Sequence, residues 1–241
     1  MPLSKPIWLL FRLLLYAGPF LIMIAGAAYL GLHWNQIPDR FPIHWGAHGV
    51  VNGWGTRSFF GVFGALLIGL SVLLTVTGVS ALTRTVGRDA SRPGEMERAA
   101  VMRRATETSI LLVGWFIALI MTGTAVWLPF RNSTALPVGF LIGTLGAVLL
   151  FIFVMVVSIV RAVKVTAGMG TGGGETPDKC WKAGIFYYNP DDKRLWVEKR
   201  FGIGWTMNMA NRASWCVLGA LVAVIVVNLL VALVIGWAVS R

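Results

Sequence analysis

Apolar and polar positions alternate along this chain in blocks, not in short periods. Five apolar runs stand out: Leu13–Leu32, Phe59–Leu82, Ser109–Pro129, Val138–Val160 and Ala213–Val239. Each is long enough to cross a bilayer as a helix, which takes roughly 20 mostly apolar residues. The pattern predicts an all-α integral membrane fold, a five-helix transmembrane bundle. The layout that follows is an N-terminus and first helix (1–32), a polar loop (33–58) and helices two to four with a basic connection (59–166). A Gly-rich linker and small β-rich element (167–212) and the last helix (213–241) complete it. Pro19 interrupts the first run and removes one backbone donor, so a kink is expected there. Gly61, Ala65 and Gly69 in the second run, and Gly139, Gly143 and Ala147 in the fourth, repeat small side chains every four residues. Both series are expected to be packing seams, within the chain or between copies in a homo-oligomer, with Ala118 facing lipid.

Charge sets the expected orientation. The chain has 241 residues, of which 56% are apolar and 13% charged, with a net charge of +11. Of the 21 Lys and Arg residues, 17 fall on the N-terminal segment and the second and fourth connections, and 4 on the others. This bias places the N-terminus in the cytoplasm and the C-terminus outside the inner (plasma) membrane. The basic charge is thus read as orientation and attraction to lipid, not as a nucleic-acid surface. Lys5, Arg12 and "AGAA" at Ala25–Ala28 also fit a cleaved signal peptide, with the same orientation for the rest. No ionisable residue lies near the middle of any run, which argues against an ion-coupled pump. The polar exception, Asn228, is expected to hydrogen-bond between helices.

The cytoplasmic connections offer little chemistry. "SRPGEMERAAVMRRA", in Thr83–Thr108, predicts a turn and then a basic amphipathic helix lying at the headgroups. "AGMGTGGGETPD" at Ala167–Asp178 is rich in glycine, but Glu175 stands where a phosphate-binding loop needs Lys. It reads as a flexible linker, and no cofactor is expected. Phe186–Tyr188, Leu195–Phe201 and Trp205–Met209 predict a three-stranded meander, with Asp191 and Asp192 as turn residues. Cys180 and Cys216 lie on different segments and suggest no disulfide.

All three histidines fall in "HWNQIPDRFPIHWGAHGVVNGWGTR", His33–Arg57. Pro42 and the Asn52–Gly53 pair predict a series of turns forming a compact cap, with Trp34, Trp45 and Trp54 in an interfacial aromatic belt. A metal site would use His33, His44, His48 and Asp39, and would make the chain a metal-dependent membrane enzyme. The glycines that interrupt the His44/His48 spacing, and the lack of a neighbouring Glu base, make a non-enzymatic protein the first expectation. In that case the His44 imidazole is expected to hold the loop through a backbone carbonyl or Asp39.

The stretch "IPDRFPIHWGAHGVVNGWGTR" resembles the first extracellular loop of the SdpI-type immunity proteins and their relatives of unknown function. The matching positions are Pro42, His44, Gly49, Gly53 and Arg57, with Asn52 where that family often has Asp. Gly184–Asn211 is similar to a second domain of unknown activity that accompanies this loop in some members. The resemblance implies a polytopic membrane protein without established enzymatic activity. Some such proteins protect a cell against a secreted peptide toxin and signal to a cytoplasmic protein. His44, Trp45, Asn52 and Arg57 are then the candidate ligand-binding residues. The implied partners are a peptide outside and a protein inside.

Overall fold

The computed structural model describes residues 5–83, 93–131, 133–167, 176–199 and 205–239. Its long helices are α1 (Lys5–Leu32), α2 (Phe59–Thr83), α3 (Pro93–Trp127), α4 (Val138–Ala167) and α5 (Arg212–Val239). All five contain stretches long and apolar enough to cross a membrane. The chain is therefore mostly helical and fits a polytopic membrane protein in contact with lipid. The small β-rich element expected after the fourth helix is present, and a further pair of strands follows α1. The strands are β1 (Arg40–Trp45) and β2 (Val51–Thr56) after α1, and β3 (Trp181–Lys182), β4 (Phe186–Tyr187), β5 (Trp196–Glu198) and β6 (Trp205–Met207) after α4.

The fold divides into two compact units. The first is built on residues up to Thr77, Leu111–Phe151 and those from Val227 onward. Its core joins Met23 and Leu30 of α1, Val62, Leu66 and Leu73 of α2, and Ala118 and Ala125 of α3. Between helices in lipid, burial of apolar surface supplies little preference, so close backbone approach and dispersion decide the packing. Glycines create that approach. The Trp115 ring occupies the space where Gly18 has no side chain, and its indole N–H donates to Leu15 O at 3.0 Å. A Cβ at Gly69 would lie 2.7 Å from Met121 Cγ.

In the small-residue series of α2, Gly69 admits α3, while Gly61 meets Thr56 and Ser58 of its own entry loop; the series of α4 meets nothing within the chain at its glycines. A Cβ at Gly139 or Gly143 would meet nothing within 4 Å, whereas Ala118 is wholly buried. Ala118 is therefore enclosed and does not face lipid, and Gly143 has no neighbour within its own chain. Spacing alone identifies a smooth helix face but not what lies against it. Asn228 behaves as its position suggested. Its Oδ1 accepts from Ser71 Oγ at 2.9 Å and its Nδ2 donates to Thr75 Oγ1 at 2.8 Å, tying α5 to α2.

The second unit comprises Gly78–Ile110 and Ile152–Val226. It corrects two expectations. The basic stretch before the third apolar run is no separate surface helix, since α3 continues unbroken for 35 residues from Pro93. Pro at the first helical position has no N–H to lose. Arg98 is drawn inward by Glu198 of β5, at 2.7 Å. The turn expected just before this helix lies largely outside the described residues.

The meander is likewise replaced. β4 pairs with β3, not β5, and β5 pairs with β6, giving two antiparallel hairpins. A parallel bridge from Tyr187 to Asn208 joins them. The β3–β4 connection is Ala183–Ile185, turned by the left-handed Ala183 (φ 49°) and Gly184 (φ 72°) and closed by Ile185 N–H donating to Lys182 O at 3.2 Å. Cys180, Trp181, Tyr187 and Val197 form the small core beneath.

Candidate functional site

Strands β1 and β2 form an antiparallel hairpin where turns alone were expected. Gly53 is the reason for the difference. An Asn-Gly pair commonly makes a turn, but here both residues lie in β2. Gly53 faces His44 and Gly55 faces Phe41. A Cβ would come within 2.8 Å of His44 Cβ at the first position and 2.7 Å of Phe41 Cε2 at the second. The glycines therefore let the bulky side chains of β1 lie across β2, and Phe41 is only 1% exposed. The turn itself is at Gly46–Val50, where Gly46 N–H donates to Val50 O at 2.8 Å and Gly49 has φ 72°.

The register slips twice. Pro42 pairs with Trp54 and His44 with Gly53, leaving Ile43 as an extra residue on β1. Trp45 then pairs with Val51, leaving Asn52 extra on β2. Bulges of this kind re-aim side chains. Ile43 and Asn52 both line a cavity of about 840 Å³ between the hairpin and the ends of α2, α3 and α5. Arg40, Trp54 and Thr56 complete its hairpin wall, while Phe60, Ala65, Ile68, Ala125, Leu128 and Ile235 give it an apolar helical floor. A site of this size with a few polar groups at one end is typical of a small-molecule pocket.

The candidate residues divide between this cavity and its supports. His44 Nδ1 donates to Asn52 Oδ1 at 2.5 Å, so the imidazole is tied to the second bulge and not to Asp39 or a backbone carbonyl. Asp39 instead pairs with Arg57 at 2.5 Å on the surface. The Trp45 indole donates to Thr134 O at 2.9 Å, fastening the hairpin to the α3–α4 connection. Of the four proposed ligand residues, Asn52 alone lines the cavity; His44, Trp45 and Arg57 brace the hairpin around it. Arg40 and Trp54, neither of them among those four, are on its wall, with the guanidinium 5.6 Å from the indole centroid. Alternation along β1 would have paired Arg40 with Pro42 on one face; the bulge breaks that alternation after it.

The remaining metal-site candidates do not gather. His33 donates from Nδ1 to Tyr29 O at 2.9 Å and stacks on the Tyr29 ring, with Phe130 edge-on. His48 is exposed in the hairpin turn. Among the described residues no three His, Cys, Asp or Glu side chains are placed to hold a metal ion.

In the second unit one titratable cluster is worth weighing as chemistry. Asp192 receives Arg194 Nε at 2.9 Å and Nη2 at 2.7 Å, and the Tyr187 hydroxyl at 3.0 Å. Burial works to raise the Asp192 carboxyl, but the bonds and charge of Arg194, with Tyr187, outweigh it and hold it below its ordinary value. Burial, with Asp192 adding to it against Asn189, pushes the Tyr187 phenol up. Each carboxylate oxygen is already engaged, so the cluster acts as a clasp on the Asn189–Arg194 turn.

Comparison with known families places both regions. A domain of unknown function, DUF1648, matches residues 21–70, which hold the latter part of α1, the hairpin and the first half of α2. A family of unknown function, DUF5808, matches residues 190–215, which hold β5, β6 and the start of α5. No curated protein and no solved structure matches the chain. One polytopic membrane protein thus joins a segment similar to DUF1648 to a segment similar to DUF5808.

Proposed function

We propose that this protein is a binding and sensing protein of the inner membrane, immunity-like in role. Its β1–β2 hairpin is the receptor surface outside, and residues 176–211 pass the signal to a protein partner inside. The observation that carries this reading is the cavity beneath the hairpin. It is mostly apolar and is walled by residues that two β-bulges turn toward it. Bulges are retained where side chains must be aimed, and a pocket built on them is a binding device more readily than a packing fault. The bracing by His44, Trp45 and Arg57 holds that wall in place, as preorganised recognition requires. A secreted peptide with an apolar anchor suits such a site.

The test fills the cavity artificially. Ile43→Cys, in a background without Cys180 and Cys216, is modified with a bulky maleimide in the full-length protein. Hydrogen exchange is then followed at 176–199 and 205–211. A sensor changes exchange there on modification. Identical exchange before and after, with the label shown to be attached, removes the sensing role.

A further inference from the structure

We infer that the cavity seats one anionic phospholipid, its phosphate on Arg40 and one acyl chain along the helical floor. This rests on the cavity's being a binding site and names its ligand class.

Among the described residues, three arginines lie at the hairpin end of the first unit. Arg57 is paired with Asp39. Arg131 donates to Ser133 O at 3.2 Å and Ala135 O at 2.6 Å and lies over Trp127. The Arg40 guanidinium has the Trp54 ring beneath it and, among the described residues, no hydrogen-bonded or ion-pair partner. Arg40 is also the one charged residue of the cavity lining, which contains no Asp or Glu. A phosphodiester can take the donors of its planar fork, which indole stacking leaves open. With no carboxylate to receive choline or ethanolamine, the wall favours a headgroup of net negative charge.

The depth fits a lipid better than a soluble ligand. From Phe60 at the hairpin end to Ile68 is eight residues of α2, about 12 Å along the helix. Half the hydrocarbon core of a bilayer is about 15 Å. The floor therefore runs most of the way through one leaflet, while Arg40 stays among the interfacial aromatics at its edge. Gly236 on α5 keeps the floor open: it lines the cavity, and a Cβ there would meet nothing within 4 Å.

Full-length protein, stripped of lipid in detergent, is titrated with phosphatidylglycerol or phosphatidylcholine, and bound lipid is counted by native mass spectrometry. One phosphatidylglycerol per chain is expected, about tenfold tighter than phosphatidylcholine, whose phosphate can accept the same bonds but whose choline cation meets Arg40 with no carboxylate to receive it. Arg40→Gln should erase that preference while leaving one chain bound. Gly236→Phe should lose the bound lipid with the melting temperature kept. If it unfolds the protein, Ala232→Phe on the same wall takes its place. Equal binding of both lipids by the native protein, or phosphatidylglycerol retained in the plugged variants, overturns the inference. Failure here leaves the Ile43 labelling result standing on its own. A selective lipid seat with no exchange response to that label would sink the sensing role instead.

Discussion

Asn208 has a wholly buried side chain whose amide is fully used. Its Oδ1 accepts from Asn189 N and Ala210 N, and its Nδ2 donates to Asn189 O and Asp192 O. Its own carbonyl accepts from the buried Ser214 hydroxyl at 2.6 Å, which fixes the start of α5. Asn208→Ala leaves several of these groups unpaired, so it should destabilise this element by about 2–4 kcal/mol, from one to three for each buried group stranded. Asn208→Asp should fare no better, because a carboxylate cannot donate to two carbonyls. Proteolysis of the 176–211 segment in detergent measures both, and native-like resistance in Asn208→Asp would refute the donor roles. Asp192 makes the same element sensitive to acid. Its folded carboxyl is held below the ordinary aspartate value of 3.8. Its contribution is therefore complete above that value and is lost as pH falls through the lower, folded one. Asp192→Asn should flatten the stability of this segment over that acid range, read by hydrogen exchange.

At the scale of elements, helix faces and hairpin glycines make opposite demands on substitution. Ala118 is enclosed between helices, so Ala118→Leu should cost about 1–3 kcal/mol through overpacking. Gly143→Leu points into open space and should stay within about 0.5 kcal/mol. Thermal unfolding in detergent ranks them, and equal melting temperatures would place α4 against a neighbour, as a second copy would. Gly55→Val should loosen the hairpin, because its side chain needs the space of the Phe41 ring; faster protease cleavage within 40–56 is the expected sign. His44→Ala should do so more mildly, by about 1 kcal/mol for one lost hydrogen bond, with His48→Ala nearly silent. The apolar runs made all five helices legible, because span length is a property of each segment alone. Asn228 was legible for the same reason, since an amide in lipid must find a partner. The strand pairing of β3 to β6 was not legible. Two- and three-residue strands carry almost no period, and their order is set by Asn208 reaching across 19 residues to Asn189. The hairpin of residues 40–56 was hidden by glycines whose work is to clear space and by two bulges that break alternation. The partner of His44 could not be read, because Asn52 reaches it only through the second bulge.

For the whole molecule, orientation decides whether the cavity can receive anything from outside. If all five apolar helices cross a membrane, the connection carrying β1 and β2 and that carrying β3 to β6 are expected on opposite sides of it. The charge split between alternate segments, 17 Lys and Arg against 4, predicts the first of these outside and the second inside. The hairpin itself carries Arg40 and Arg57, but Asp39 offsets the second. The segment 176–199 keeps Lys179, Lys182 and Lys193 exposed, and such residues resist transfer across a membrane. Single cysteines at His48 and Lys193, in a background without Cys180 and Cys216, report this directly because both positions are exposed. A membrane-impermeant maleimide should label position 48 in intact cells and position 193 only after permeabilisation. Labelling at 193 alone would invert the molecule, turn the cavity toward the cytoplasm and end the receptor reading. Labelling at both in intact cells would mean that one of α2, α3 and α4 does not cross. The first suspect would then be α3, whose opening half carries Arg98, Arg103, Arg104 and Glu107 before its apolar run begins.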